Sequence, residues 1–364
     1  MLSEDSIMYD LVRLGFGPFF EEQLQLLRDS GSAATFPARI AAEHRGGYEI
    51  WSVLGVGFAA ASGRLRHREE LPAVGDWVTI DGDTGPGHTA IINHVLPRRT
   101  VFTRGSAGRA ARPQVVAANV DQVFIVCGLD SDFSLHRIER YLARVWASGA
   151  TPAVVLNKMD LCADVAGCVR EVERHCPAVP VFLTQASTSD GAAALAATIA
   201  VGTTTAFVGS SGAGKSTLIN ALLGDARLPT APTRESDGQG CHTTTHRQLV
   251  SLPQGGLVLD TPGMRELQIL DEDGLDQVFD DIEVLAADCR FRDCRHDHES
   301  GCAVKEAARN GALDPGRLDH YQQLLREARA YERRHDAHLR HQSERVWGQL
   351  HAEAARLRKW KEGG

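Results

Sequence analysis

Two short motifs stand in an unusual order in this chain. Asn157-Lys158-Met159-Asp160 comes first, and Gly209-Ser210-Ser211-Gly212-Ala213-Gly214-Lys215-Ser216 follows, continued by Thr217. The second matches G-x-x-x-x-G-K-S, a loop whose run of backbone N–H groups cradles phosphates. The first matches N-K-x-D, a turn that reads a guanine ring. Where the two occur together, the phosphate loop ordinarily leads and the base-reading turn comes last. The reversed order is met by a circularly permuted chain that still builds the same sheet and the same site.

At 364 residues the chain exceeds what one hydrophobic core usually serves, so two or three domains are expected. No apolar run is long enough to cross a bilayer, and the acidic start Met1-Leu2-Ser3-Glu4-Asp5 is unlike a secretory signal. The expectation is a cytoplasmic monomer with no membrane partner. The formal net charge of −8 conceals a segregation: −4 over residues 1–34, +3 over 35–112, −11 over 113–316 and +4 over 317–364. Basic flanks suit an RNA partner, because cationic side chains displace condensed counterions from phosphates, although solvated faces would give the same balance. Of the eight cysteines, the tight group at 289–302 reads as metal ligation in a large intracellular chain rather than as disulfides.

Residues 1–34 form an N-terminal extension with Phe20, Leu24 and Leu27 at helical spacing. Over 35–112, short strands at 37–42, 48–53, 75–80 and 89–95, broken by Gly, Asp and Pro, predict a small OB-fold β-barrel followed by a basic connector from Arg98 to Arg112. Over 113–280 the pattern changes to alternating strands and helices. Strands are predicted at 123–127, 153–156, 179–183, 205–208, 248–252 and 257–259, with helices near 135–146, 163–175, 192–200 and 216–223. That alternation predicts a mainly parallel α/β sheet with ligands at the carboxyl ends of its strands, where both motifs fall. Over 281–364 a Cys/His cluster precedes an Arg-rich helical segment from about residue 315 onward.

The chemistry follows from residue type. Gly209, Gly212 and Gly214 let backbone approach phosphates, Lys215 reaches the β- and γ-phosphates, and the Ser216 hydroxyl coordinates Mg²⁺. The Asp160 carboxylate can accept two hydrogen bonds from guanine that adenine cannot supply. Asn157 would support the base and the phosphate loop, and the Lys158 stem would cover the ring. After a further apolar strand, Asp260 of Asp260-Thr261-Pro262-Gly263 would hold Mg²⁺ through water, and the Gly263 N–H would sense the γ-phosphate. Next comes Met264, where many GTPases carry a water-orienting Gln, so slow intrinsic hydrolysis is expected. The Gly-rich stretch 238–245 offers substitutes: Thr243 or Thr244 to complete Mg²⁺ coordination, and neutral His242 to orient water. Cys289-x₄-Cys294-x-His296-x₅-Cys302 supplies three thiolates and an imidazole for one closed, structural Zn²⁺ site, with His298 competing with His296 as ligand.

Together these residues resemble the ribosome-small-subunit-dependent GTPase A (RsgA) family over about residues 35–340. The resemblance rests on 72–78 (Pro-Ala-Val-Gly-Asp-Trp-Val), the permuted 157–160 and 209–217, His242-Thr243-Thr244, Asp260–Gly263, and 289–304 around the Cys/His cluster. It implies an OB-fold, a permuted GTPase domain and a zinc-binding domain. It also implies a late maturation factor of the small (30S) ribosomal subunit that binds rRNA and leaves on GTP hydrolysis. Two positions depart from the family pattern. Cys241 stands where an Arg usually precedes His-Thr-Thr, and Gln185 replaces the Ser of a guanine-side Ser-Ala pair. The competing expectation is an RNA-binding module with a regulatory or vestigial nucleotide site. A small-metabolite kinase conflicts with Asn157–Asp160.

Overall fold

The computed structural model describes residues 10–30, 36–85, 87–104, 114–185, 189–224, 247–260 and 274–335. The chain divides into two compact units, Met1–Arg104 with Val115–Leu267, and Gly105–Gln114 with Gln268–Gly364.

The first unit opens with helix α1 (Pro18–Asp29), started by a proline whose fixed φ suits a first helical turn. Its inward face buries Phe20 and Leu24, while Leu27 is half-buried. A barrel follows: β1 (Phe36–His44), β2 (Gly47–Ser52), β3 (Gly55–Ala61), helix α2 (Gly63–Arg68), β4 (Trp77–Asp81) and β5 (Ala90–Val95). The strands run in the order β1-β2-β3-β5-β4, and β4 pairs back onto β1 to close the circle. Only β3 and β5 are parallel. Closure removes the free edges of a small sheet and lets Ala38, Ile40, Ile50, Val78, Ile80 and Ile92 fill the interior. This is the expected OB-like barrel. β3, GVGFAAA, is absent from the sequence reading because its glycines and alanines carry little strand propensity. The expected basic connector also contains strand: β6 (Val101–Arg104) pairs with β7 (Gln114–Ala118).

The nucleotide-binding sheet is built from β8 (Gln122–Gly128), α3 (Leu135–Ala147), β9 (Thr151–Asn157), α4 (Val165–His175), β10 (Val181–Leu183), α5 (Ser189–Ala196), β11 (Thr204–Val208), α6 (Lys215–Leu223), β12 (Gln248–Ser251) and β13 (Leu257–Asp260). The order is β10-β9-β8-β11-β13-β12, parallel throughout except for β12 against β13. Strands covered on both faces read as unbroken apolar runs, as VFIV and AVVL do here, and their side chains meet Leu218, Ile219 and Leu222 of α6. One antiparallel pair, Ala42 with Gln248, joins β1 to β12, so barrel and nucleotide sheet form a single 11-stranded sheet.

Arg39, on β1 and fully buried, ties these pieces together. Its guanidinium donates to the carbonyls of Leu14, Gly75 (3.2 Å) and Asn119 (3.0 Å) and to the Thr204 hydroxyl (2.9 Å) on β11. Its plane lies 5.4 Å from the Trp77 ring, which in turn meets Phe16 at 4.8 Å and Phe20 at 5.9 Å. Burial pulls its pKa down to about 10, opposed by the charge of Asp121, so it stays protonated at neutral pH.

The second unit is helical among the described residues: α7 (Leu275–Val278), α8 (Asp280–Ala286), α9 (Ala303–Asn310) and α10 (Pro315–His335). Arg317 on α10 grips Asp281 through two bonds of 2.7 and 2.8 Å, donates to the Val278 carbonyl, and stacks 4.8 Å from the Phe279 ring. No helix among the described residues is long and apolar enough to cross a membrane.

Candidate nucleotide site and metal centre

β11 runs straight into the loop at 209–214, and α6 begins at Lys215. Gly209, Gly212 and Gly214 have φ of 138°, 79° and 99°, a region that L side chains rarely adopt. At Gly209 the restriction is also steric, because a Cβ there would lie 2.1 Å from the Val126 carbonyl on β8. Ala213 is buried, Ser211 and Gly212 face solvent, and Lys215, Ser216 and Thr217 are half-buried in the first turn of α6. Helix N-termini present unpaired N–H groups and positive potential, which suits a polyanion. The Lys215 ammonium lies back across the loop on the carbonyls of Gly209 (2.9 Å) and Ser210.

The Asn157–Asp160 turn leaves the end of β9, two strands away from β11. Asn157 is fully buried; its Nδ2 donates to the Ala213 carbonyl at 2.8 Å, and its Oδ1 accepts from the Thr184 hydroxyl at 3.0 Å. That one side chain joins β9, the exit of β10 and the phosphate loop. Lys158 adopts the left-handed conformation, φ 60°, and its ammonium meets Asp130 at 2.6 Å. Met159 and Asp160 lie exposed in the 3₁₀ turn Met159–Leu161, with the Asp160 carboxylate open to a ligand's edge. His242, Thr243, Thr244 and Gly263 lie outside the described residues, as does the side chain of Asp260, which ends β13.

Cys289, Cys294, His296 and Cys302 converge, with their ligand atoms all within 4.8 Å of one another. Cys289 Sγ lies 3.9 Å from Cys302 Sγ and 3.7 Å from His296 Nδ1, and His296 Nδ1 lies 3.4 Å from Cys302 Sγ. Zinc bonds of about 2.3 Å to sulfur and about 2.0 Å to nitrogen, set tetrahedrally, would separate two sulfurs by about 3.8 Å and sulfur from nitrogen by about 3.5 Å. The donor set therefore fits a closed tetrahedral metal site. Burial opposes ionisation of Cys289, but backbone N–H groups of Val304 and Ala303 at the start of α9 bring its pKa below the ordinary thiol value. Burial lowers the pKa of His296 and keeps its ring neutral, as a ligand must be. The turn before α9 is organised by Glu299, whose carboxylate accepts from the N–H groups of Arg295, Asp297 and His298. The competing His298 is 90% exposed and points to Asp297, away from the sulfurs.

The sequence pattern of the RsgA GTPase family matches residues 95–270. A relative from Opitutus terrae, named small ribosomal subunit biogenesis GTPase RsgA, is 46% identical over 354 residues, spanning 94% of this chain and 96% of the relative. The chain belongs to the RsgA GTPase family. Among solved structures, YjeQ from Thermotoga maritima aligns with a TM-score of 0.62 at 27% identity, covering 81% of this chain and 99% of that one. YloQ, described as a circularly permuted GTPase, aligns with a TM-score of 0.60 at 25% identity over 82% and 96% of the two chains. As an RsgA GTPase this chain is an enzyme of GTP hydrolysis, and its strand order is that of a permuted GTPase.

Two side chains beside this RsgA site escaped sequence reasoning: Asp130 and Asp132, just past β8, contact Lys158 and Ser210. Only their placement directly after an apolar strand, where ligands gather in such sheets, could have singled them out. Thr184, in the segment 184–186 where the resemblance places the guanine-side pair, contacts Asn157.

Proposed function

We propose that this RsgA GTPase hydrolyses GTP while engaged with the small ribosomal subunit during its maturation; its Opitutus terrae relative is named a small ribosomal subunit biogenesis GTPase. The observation that carries this reading is the 2.8 Å bond from Asn157 to Ala213, which unites the two nucleotide motifs across 56 residues of sequence. One guanine nucleotide then spans the site, its base at Asp160 and its phosphates on 209–217 with Lys215. Ser216, Asp260 and a hydroxyl of Thr243 or Thr244 are the residues that would hold Mg²⁺, which when bound offsets phosphate charge. Gly263 is assigned to sensing the γ-phosphate and His242 to orienting the attacking water, in place of the Gln that Met264 replaces. The metal of the Cys₃His centre is assigned as structural zinc, supported by the sulfur and nitrogen spacings.

In this reading the protein acts as a cytoplasmic monomer. Modules at 35–112 and 281–364 dock on rRNA, the module at 113–280 carries the GTPase, and GTP hydrolysis favours departure through the 238–245 segment. The deciding experiment measures GTP turnover with and without purified small subunits, alongside co-sedimentation in GDP or a non-hydrolysable GTP analogue. Charge-stabilising groups supplied in trans raise GTP hydrolysis by orders of magnitude in related systems, so stimulation below about tenfold would favour an RNA-binding module with a regulatory nucleotide site.

A further inference from the structure

The segment just past β8, Leu129-Asp130-Ser131-Asp132-Phe133, places two carboxylates beside a site meant for a polyanion. Such charges oppose ligand binding unless each is committed to a donor. Both are committed. Asp132 accepts from Arg137 and from the Ser210 hydroxyl of the phosphate loop, and Asp130 accepts from Lys158 at 2.6 Å. The exits of β8 and β9 are bonded to each other, Leu129 N–H to the Asn157 carbonyl at 2.7 Å. Gly128 completes the arrangement, because a Cβ there would come 2.8 Å from Asp130 Oδ1.

The lysine of this turn has a four-carbon stem with large rotamer freedom, and freezing such a side chain when a ligand arrives weakens binding. Here the backbone of Lys158 is already fixed at φ 60° and its ammonium is already anchored, with about a fifth of each partner side chain exposed. We infer that Asp130 is a positioning residue for guanine-nucleotide binding, holding the Lys158 stem in place as one wall of the base slot before the base arrives. This inference rests on reading Asn157–Asp160 as the base-reading turn.

Asp130→Asn isolates the effect. The amide keeps the Oδ1 acceptor that caps the Asp132 N–H at 3.0 Å and puts an NH₂ donor where Oδ2 held the Lys158 ammonium, so both the charge and the acceptor of that pair are lost. In the full-length protein, GDP affinity measured calorimetrically should fall about three- to tenfold in Asp130→Asn, the range expected for one long side chain left unfrozen. Lys158→Ala should weaken GDP further, and adding Asp130→Asn to Lys158→Ala should change affinity by less than about twofold, since no stem remains to position. Unchanged GDP affinity in Asp130→Asn, with Lys158→Ala weakened, would overturn the inference alone. So would an equal loss from Asp130→Asn in both backgrounds, which would mark a merely structural effect. Unchanged affinity in Lys158→Ala would overturn the base-slot reading itself, and the inference with it.

Discussion

At the scale of residues, the buried Arg39 shows how one side chain can hold several segments that are remote in sequence. Replacing it with Met leaves the carbonyls of Leu14 and Asn119 without this donor, while the Gly75 carbonyl keeps the Asn119 amide at 3.1 Å. Orphaned buried acceptors and lost charge-assisted bonds should cost about 3–5 kcal/mol, read as an earlier guanidinium unfolding midpoint of the first unit, and Arg39→Lys should recover little of it. Gly209→Ala sets a Cβ against the Val126 carbonyl at a φ that alanine resists, so GDP binding should be lost in equilibrium dialysis while the metal content stays intact. The sequence is most legible where chemistry demands a residue type at fixed spacing. Asn157, Lys215 and the four metal-site residues are found that way, and the structure brings each group together. Arg39 and Asp130 belong to no spacing rule, because their partners lie on other strands and only the folded sheet makes them neighbours.

At the scale of elements, α1 turns the N-terminal extension into part of the core. Phe20 is buried between the Trp77 ring and the Arg99 guanidinium, which lies 5.4 Å away. Phe20→Ala should therefore destabilise the first unit by about 3–5 kcal/mol, measurable in the same guanidinium titration, whereas exposed Leu26→Ala should be nearly silent. Elements with a strong period were readable in advance. α1 was expected from Phe20, Leu24 and Leu27, and β8, β9 and β11 from their apolar runs. β3 and the β6–β7 pair were not: the Gly-Ala composition of β3 carries little strand propensity, and β6 and β7 are runs of only four and five residues set either side of a basic, glycine-containing stretch.

At the scale of the whole molecule, the permutation relocates the chain ends without altering the sheet. The glycine loop at 209–214 leaves the central β11, and the Asn157–Asp160 turn leaves β9 two strands away. The second unit depends on a different cohesion, with the Cys₃His cluster and the Arg317–Asp281 clasp between α10 and α8. A zinc-selective chelator in excess Mg²⁺ should lower the melting temperature of that unit and leave GDP affinity within about twofold, as expected when a structural metal supplies local folding energy. Elemental analysis should return one zinc per chain, falling in Cys302→Ser.

The rung between Ala42 and Gln248 carries a mechanical corollary. Gln248 begins β12 three positions after the 238–245 segment proposed to link hydrolysis to departure, so a barrel strand is bonded to the strand that directly follows that segment. A twist imposed on the barrel by a bound partner would reach β12 through this backbone rung, as a lever reaches its fulcrum, without needing a relay of side chains.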